Sequence, residues 1–209
     1  AGGAATAQEL FEIFDEENRC VVEIRPRAQA HRLGLLHRSV NVVVTTPQRC
    51  VLLQRRSASK DVCPNRWDVS CAEHVRPQES YVDAACRGMQ EELSMLVEDT
   101  HPLIHQTRKP VLRQNSFPEV DIQDNEFVPQ FWLCWEGAVR PDMDEVCEVE
   151  LVPFEDLQQR LREDPDSFTP WALEEFEYFF RRVVPHLSGD CRSLDEEFQL
   201  DCEEDVQTY

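Results

Sequence analysis

The stretch CAEHVRPQESYVDAACRGMQEELSM, residues 71–95, decides how the chain is read. Val82, Ala85, Met89 and Leu93, with Leu96 just beyond, recur at helical spacing, and Ser80 and Asp83 are placed to cap a first turn. Residues 79–95 are therefore predicted to form a helix with one apolar face. On such a helix, positions 88, 91 and 92 converge on one strip of surface. Glu91 and Glu92 can share a hard divalent cation, which takes oxygen ligands and leaves positions open for phosphate oxygens. The same pair equally suits a solvated face on which Arg87 pairs with Glu91. Gly88 brings no side chain to that strip. A mid-helix glycine costs about 1 kcal/mol relative to alanine, so local stability does not explain it, and a glutamate in its place is predicted to leave folding unharmed.

Upstream, LFEIF and CVVEI flank the polar turn DEEN between Glu9 and Ile24 and read as a hairpin, while RPRAQAHRLGLLHR reads as a basic connector. SVNVVVTT and CVLLQRR are β-branched runs expected to pair inside a sheet; a loop over 57–66 and a short strand over Trp67–Cys71 follow. Downstream, Phe127–Trp135 and VCEVELV have strand patterns, with Pro129 marking an edge or a bulge. Two helices come next, Pro153–Arg162 and one running from Thr169-Pro170 to Pro185. The expected organisation is a flexible N-terminus over 1–8, one domain over 9–187, and an acidic, solvated tail over 188–209 that offers a surface to a protein partner.

At 209 residues, with 41% apolar and 30% charged content, the chain can bury one sizeable core. Its apolar runs are too short for a membrane span, so a soluble protein is expected. Nine cysteines, an odd number with no C-x-x-C pair, predict free thiols and a reducing compartment, the cytoplasm or an organelle. A formal net charge of −20 excludes general binding to nucleic acid or anionic membranes. An anionic small-molecule substrate must then be met by local positive charge or a bound metal.

The quoted stretch resembles the signature of the Nudix superfamily, G-x5-E-x7-R-E-U-x-E-E-x-G-U, where U is a bulky apolar residue. Glu79, Arg87, Met89, Glu91, Glu92 and Met95 match it, and Glu73, Gly88 and Ser94 do not. The flanking runs HRLGLLHRSVNVVV, VLLQRRSASKDVCPNRWDVS, DNEF at 124–127, DEVCEVELVPFEDL and DSFTPWAL resemble the subgroup related to isopentenyl-diphosphate isomerase, over about residues 9–185. The resemblance implies an α/β/α sandwich around a mixed β-sheet, binding Mg²⁺ or Mn²⁺ and acting on a small-molecule diphosphate. It further implies that Glu91 and Glu92 are metal ligands, that Arg87 orients a carboxylate on the same helix and that Glu79 fixes the loop to the helix. Asp124 and Glu126, two apart on a strand, share one face. The resemblance makes them complete the metal shell, where the residues alone also fit an exposed turn. His37 and His74 match metal-binding positions of the isomerases, although a lone histidine is more often structural. Arg55 and Arg56 are phosphate-contact candidates, of which alternation along a strand lets only one face the site; either also suits pairing with surface acids.

The departures leave two readings open. Gly88 stands where hydrolases commonly carry a water-activating glutamate, and Glu73 and Ser94 replace glycines. The isomerase reading is weakened further, because its catalytic cysteine falls on Ala72 whereas the thiol here is Cys71, on the opposite face of a strand. A metal-dependent diphosphate hydrolase with altered catalysis stands first. A catalytically inactive binding or scaffold protein of the same fold is the alternative.

Overall fold

The structure is a computed structural model that describes residues 9–96 and 104–200. Two sheets form. Strands β1 (Leu10–Phe14) and β2 (Val21–Pro26) make the expected antiparallel hairpin as a separate two-stranded sheet. The larger sheet has β3 (His37–Thr45), β4 (Cys50–Arg56), β5 (Trp67–Asp68), β6 (Cys71–His74), β7 (His105–Phe117), β8 (Ile122–Cys134) and β9 (Val146–Pro153). Its main path runs β5-β4-β3-β8-β7, with β6 paired to β3 and β9 to β4. The β3–β8 pairing is parallel and the other pairings are antiparallel, so the sheet is mixed.

One helix covers one face of this sheet and two cover the other. Helix α2 (Tyr81–Leu93) starts at Ser80, whose hydroxyl accepts from the Asp83 amide at 3.2 Å, and ends at Ser94, which is left-handed at φ 56°. Ala84, Ala85, Met89 and Leu93 pack with Val40, Val42 and Cys71 of the strands beneath. Leu96 lies beyond the helix and faces solvent instead of joining this core. On the opposite face, α3 (Phe154–Glu163) and α4 (Pro170–Tyr178), followed by a wider turn over Phe179–Val183, bury Leu157, Ala172, Phe176 and Phe179 against Val43, Leu53 and Trp132. The result is the expected α/β/α sandwich. Helix α4 is pinned by a buried charge: Glu175 accepts from Arg108 and Arg113 of β7 and, at 2.6 Å, from Gln130 of β8.

Several expectations are corrected. The basic connector contains a helix, α1 (Arg27–Leu33), closed by Gly34 at φ 62°. Its entry has no side-chain cap and it is only seven residues long, so helical periodicity has little room to show itself. Strand β7 gave no readable pattern, because an edge strand with irregular register between Gln106 and Val111 alternates weakly. Pro129 lies opposite that irregularity in an interior strand, so it marks a bulge and not an edge. Residues 188–200, read from their charge as tail, lie against the domain. Cys191 is buried in the α3/α4 core, Leu194 and Phe198 pack onto that core, and Leu194 forms a bridge with Leu187. The segments 1–8 and 201–209 lie outside the described residues.

Gly88 is the clearest correction. A Cβ at position 88 would stand 2.7 Å from Cys71 Sγ and 2.9 Å from Glu73 Cβ, closer than real Cβ contacts come. Helix α2 therefore lies directly on β6 at this point. The packing, which sequence propensity does not see, requires the glycine, and a glutamate there displaces the strand.

Truncation after Leu187 is expected to lower the melting temperature by about 5 °C or more, since losing buried groups worth about 2 kcal/mol shifts a domain of this size by that much. An unchanged melting temperature would return 188–200 to the solvated tail. Burial raises the Glu175 pKa, but Arg108 and Arg113 outweigh it and hold the carboxyl below its ordinary value. The stabilisation is thus present above the unfolded value near 4.3 and is lost as pH falls through the depressed one. Glu175→Gln is expected to destabilise the domain at neutral pH by about 3–5 kcal/mol and to flatten the acid limb of a stability profile; an acid limb as steep as wild type would contradict this.

Candidate metal and diphosphate site

Pairing across the sheet sorts residues 71–74 onto two faces. Cys71 and Glu73 stand opposite Val42 and Val40 and face α2, whereas Ala72 and His74 stand opposite Asn41 and Ser39 and face the other way. On that second face His37 lies beside Glu126 in the parallel β3–β8 register, and Asp124 follows at the same period. Helix α1 brings a third imidazole, His31, and β1 brings Phe11, which stacks on His37 with centroids 4.5 Å apart.

One ligand atom from each of His31, His37, His74 and Asp124 lies within 4.8 Å of the others. His31 Nε2 is 3.4 Å from Asp124 Oδ1, His37 Nε2 is 3.3 Å from the same oxygen, and both His37 Nε2 and His74 Nε2 are 3.6 Å from Glu126 Oε1. The outer nitrogens are engaged elsewhere: His37 Nδ1 donates to the Leu35 carbonyl at 3.0 Å, and His74 Nδ1 lies 3.2 Å from Glu9 Oε1. This arrangement fixes both rings and aims Nε2 inward, as a carbonyl or carboxylate on the far ring nitrogen does for metal-binding histidines. His31 Nε2, His37 Nε2 and Asp124 Oδ1 are buried without a hydrogen-bond partner. A divalent cation would satisfy all three, so the residues fit a metal ion.

Electrostatics make the same demand. Burial disfavours charge on His37, but the close Asp124 and Glu126 carboxylates outweigh it and push its pKa up to about 10. Burial, with the neighbouring His74 and His37, pushes His31 down to about 3. Glu126 is held well below the carboxylate range, since bonding and attraction from His37, with the His74 and Arg113 charges, outweigh its burial. The cluster holds Glu126 ionised and favours positive charge beside it.

The cluster lines an inner chamber of about 80 Å³ with Ser39, Asn41, Arg113 and Trp171. A larger outer chamber of about 600 Å³, lined by Glu91, Glu92 and six more carboxylates against four cationic side chains, adjoins it. Arg27, Arg56, Val62, Ala72, Glu73 and His74 line both.

The site residues read from the sequence thus divide. His37, His74, Asp124 and Glu126 come together on the inner side. Glu91 and Glu92 line the adjoining outer chamber, beside the inner one lined by Asp124 and Glu126. Glu91 pairs with Arg76 and Arg87, each at 3.2 Å. Glu92 is 7% exposed, its Oε2 has no partner, and burial followed by the Glu73 charge raises its pKa well above the ordinary value. Glu79 accepts from Arg87 Nε at 2.8 Å and from the Arg76 amide at 2.9 Å, tying the loop to the helix. Of the two neighbouring arginines, Arg56 lines both chambers and pairs with buried Asp68 at 3.1 Å; Arg55 turns to Asn65 and Glu148 and lines neither. His31 escaped the sequence reading, and the signal available was a second histidine six residues before His37 in a segment otherwise read as a connector.

The layered mixed sheet carries an imidazole–carboxylate cluster, with the donor set a metal ion takes, beside an arginine-lined cavity, and so defines an α/β protein with a candidate metal site. The NUDIX domain family model matches residues 35–172, and the chain belongs to that family. It is 29% identical over 168 residues to the isopentenyl-diphosphate Delta-isomerase of Mycolicibacterium vanbaalenii, covering 80% of this chain and 89% of that protein. It is also 29% identical over 172 residues to Nudix hydrolase 3 of Arabidopsis thaliana, covering 80% of this chain and 22% of that protein. Among solved structures, DR0079 from Deinococcus radiodurans superposes with a TM-score of 0.65 at 22% identity, over 81% of this chain and 98% of that one. The NUDIX domain of Shewanella oneidensis NrtR, complexed with ADP ribose, superposes at 0.51 with 18% identity, over 71% and 87%. Among the described residues no helix is long and apolar enough to cross a membrane.

Removing one member of a four-residue cluster that holds a metal should cost at least what removing a partner hydrogen-bonded to a metal ligand does. His31→Ala is expected to weaken Mn²⁺ binding about tenfold or more in calorimetry, and an unchanged affinity would remove His31 from the cluster.

Proposed function

We propose that the chain is a divalent-metal-dependent hydrolase of a small molecule bearing a diphosphate. The observation that carries this reading is the cluster of inward, unpartnered imidazole nitrogens and Asp124 Oδ1 adjoining the two arginines that line both chambers. Of the two ions implied by the sequence, Mn²⁺ fits an imidazole-rich set better than Mg²⁺, which demands near-octahedral oxygen ligands. A bound divalent ion supplies charge for phosphate oxygens and polarises phosphorus. Arg27 and Arg56 bind and orient the diphosphate, which lets an anion enter a protein of net charge −20. Trp171, whose indole N–H donates to Asp68 at 2.6 Å and over whose ring Arg56 lies at 5.2 Å, closes the inner chamber against bulk water. In the reaction a water oxygen bonds to phosphorus as the bridging P–O bond breaks. The water's proton passes to a base, and the departing phosphate carries the bond's electron pair.

Two features speak against isomerisation. Cys71 is fully buried toward α2, and burial pushes its thiol well above the ordinary value, while Ala72 faces the cavity. The position that does face the cavity, Ala72, brings only a methyl group where that chemistry needs a thiol.

The test is a product assay with Mg²⁺ and Mn²⁺ across nucleotide-sugar, dinucleoside and isoprenoid diphosphates. Metal-dependent release of phosphate or phosphomonoester is expected, falling about a hundredfold or more in His37→Ala, because the metal contributes several kcal/mol. Double-bond migration in isopentenyl diphosphate would make the chain an isomerase, and tight binding with no product anywhere in the panel would make it a binding protein.

A further inference from the structure

A groove of about 510 Å³ lies between α3 and α4 and shares no lining residue with either chamber of the metal site. Leu161, Leu173 and Phe180 form its floor, half-buried against the α3/α4 core, and Arg162, Arg181 and Glu177 stand exposed on its rim. Among the described residues neither of these arginines has an ion-pair partner. In a chain of net charge −20, two unpaired guanidiniums beside apolar surface leave an attraction for carboxylates unanswered. The groove suits a peptide that brings acids to the rim and apolar side chains to the floor.

This chain carries such a peptide. Phe198 packs on the same core as Leu161, Leu173 and Phe180, and its ring meets that of His186 with centroids 5.6 Å apart. The Asp195 amide donates to the His186 carbonyl at 2.8 Å and holds the backbone there. Beyond Leu200 the sequence continues DCEEDVQTY, residues 201–209, with four acids and no base, and with Val206 and Tyr209 after the acids. Phe180 and Arg181 precede His186 by less than two helical turns, so the groove is well within the roughly 30 Å that nine extended residues span.

We propose that the acidic segment 201–209 occupies this groove in its own chain, its carboxylates meeting Arg162 and Arg181 and its Val206 and Tyr209 covering Leu161, Leu173 and Phe180. The contact is intramolecular, and a connection this short supplies an effective concentration on the order of millimolar, which keeps even a weak contact closed. The inference is independent of the hydrolase reading.

The test is fluorescence anisotropy with a labelled synthetic peptide of residues 201–209, kept reduced, as the probe and the full chain as the receptor. Wild type is compared with a full chain carrying Glu203→Gln, Glu204→Gln, Asp205→Asn and Tyr209→Ser, whose segment keeps its length but loses most of its charge and its ring. That variant is expected to bind the probe about tenfold or more tightly than wild type, where the chain's own segment competes, and to release it at high salt. Adding Arg162→Glu and Arg181→Glu to the variant is expected to weaken the probe about tenfold or more, with the melting temperature within about 2 °C because both positions are exposed. Should the reversals disturb the fold, a probe carrying Val206→Ser and Tyr209→Ser tests the apolar half on an unchanged receptor and is expected to bind about tenfold more weakly. Equal probe binding by wild type and the neutralised variant would give the groove to an acidic segment of another molecule and overturn the inference. A probe that binds neither protein, or that ignores both arginines and its own apolar residues, would overturn it as well. So would a wild type that sediments as a dimer while the neutralised variant is a monomer, since the segment would then lie on a second copy.

Discussion

The contact on which the site depends is the close approach of α2 to β6, where Gly88 leaves no side chain between helix and strand. With α2 seated on Cys71 and Glu73, the intervening Ala72 and His74 must face the opposite side of the sheet, and His74 enters the imidazole cluster there. The same approach buries the Cys71 thiol and opens the volume that Glu73 fills. Three departures that look independent in the sequence, at 71, 73 and 88, are therefore one piece of packing.

Charge is the second organising constraint. The protein is strongly acidic, and its site gathers more carboxylates than cations, yet Arg27, Arg56, Arg87 and Arg113 are all placed at the chambers or at the loop beside them. Each is paired: Arg27 with Glu9, Arg56 with Asp68, Arg87 with Glu79 and Glu73, Arg113 with Glu175. Such pairing fixes the guanidinium planes before an anion arrives, which preorganises recognition but leaves little net positive charge. Bound cations would then supply the remaining attraction for a diphosphate.

Much of this was legible in the sequence. Helix α2 announces itself through a cap and an apolar stripe, and β3 and β4 through dense β-branched runs, while the mixed sandwich was implied by the resemblance, with which that element order is compatible. What escaped has physical reasons. Helix α1 is too short and uncapped to show a period, so His31 went unread. The tail's few apolar residues, Cys191, Leu194 and Phe198, are diluted by acids, although they are the ones that meet the core. Alternation placed Asp124 and Glu126 on one face but could not say which side of the sheet that face looks to; their place in a metal shell came from the resemblance. The reason for Gly88 is a tertiary contact with β6, beyond the reach of any helix propensity.

A transition-metal ion is proposed to sit among His31, His37, His74 and Asp124. Anomalous diffraction from crystals grown with Mn²⁺, recorded on both sides of the manganese edge, tests it most directly. The account expects a peak about 2.0–2.3 Å from the inward nitrogens of the three histidines, with Asp124 or Glu126 completing the set. A crystal with no peak there, or with manganese only at Glu91 and Glu92, would contradict it.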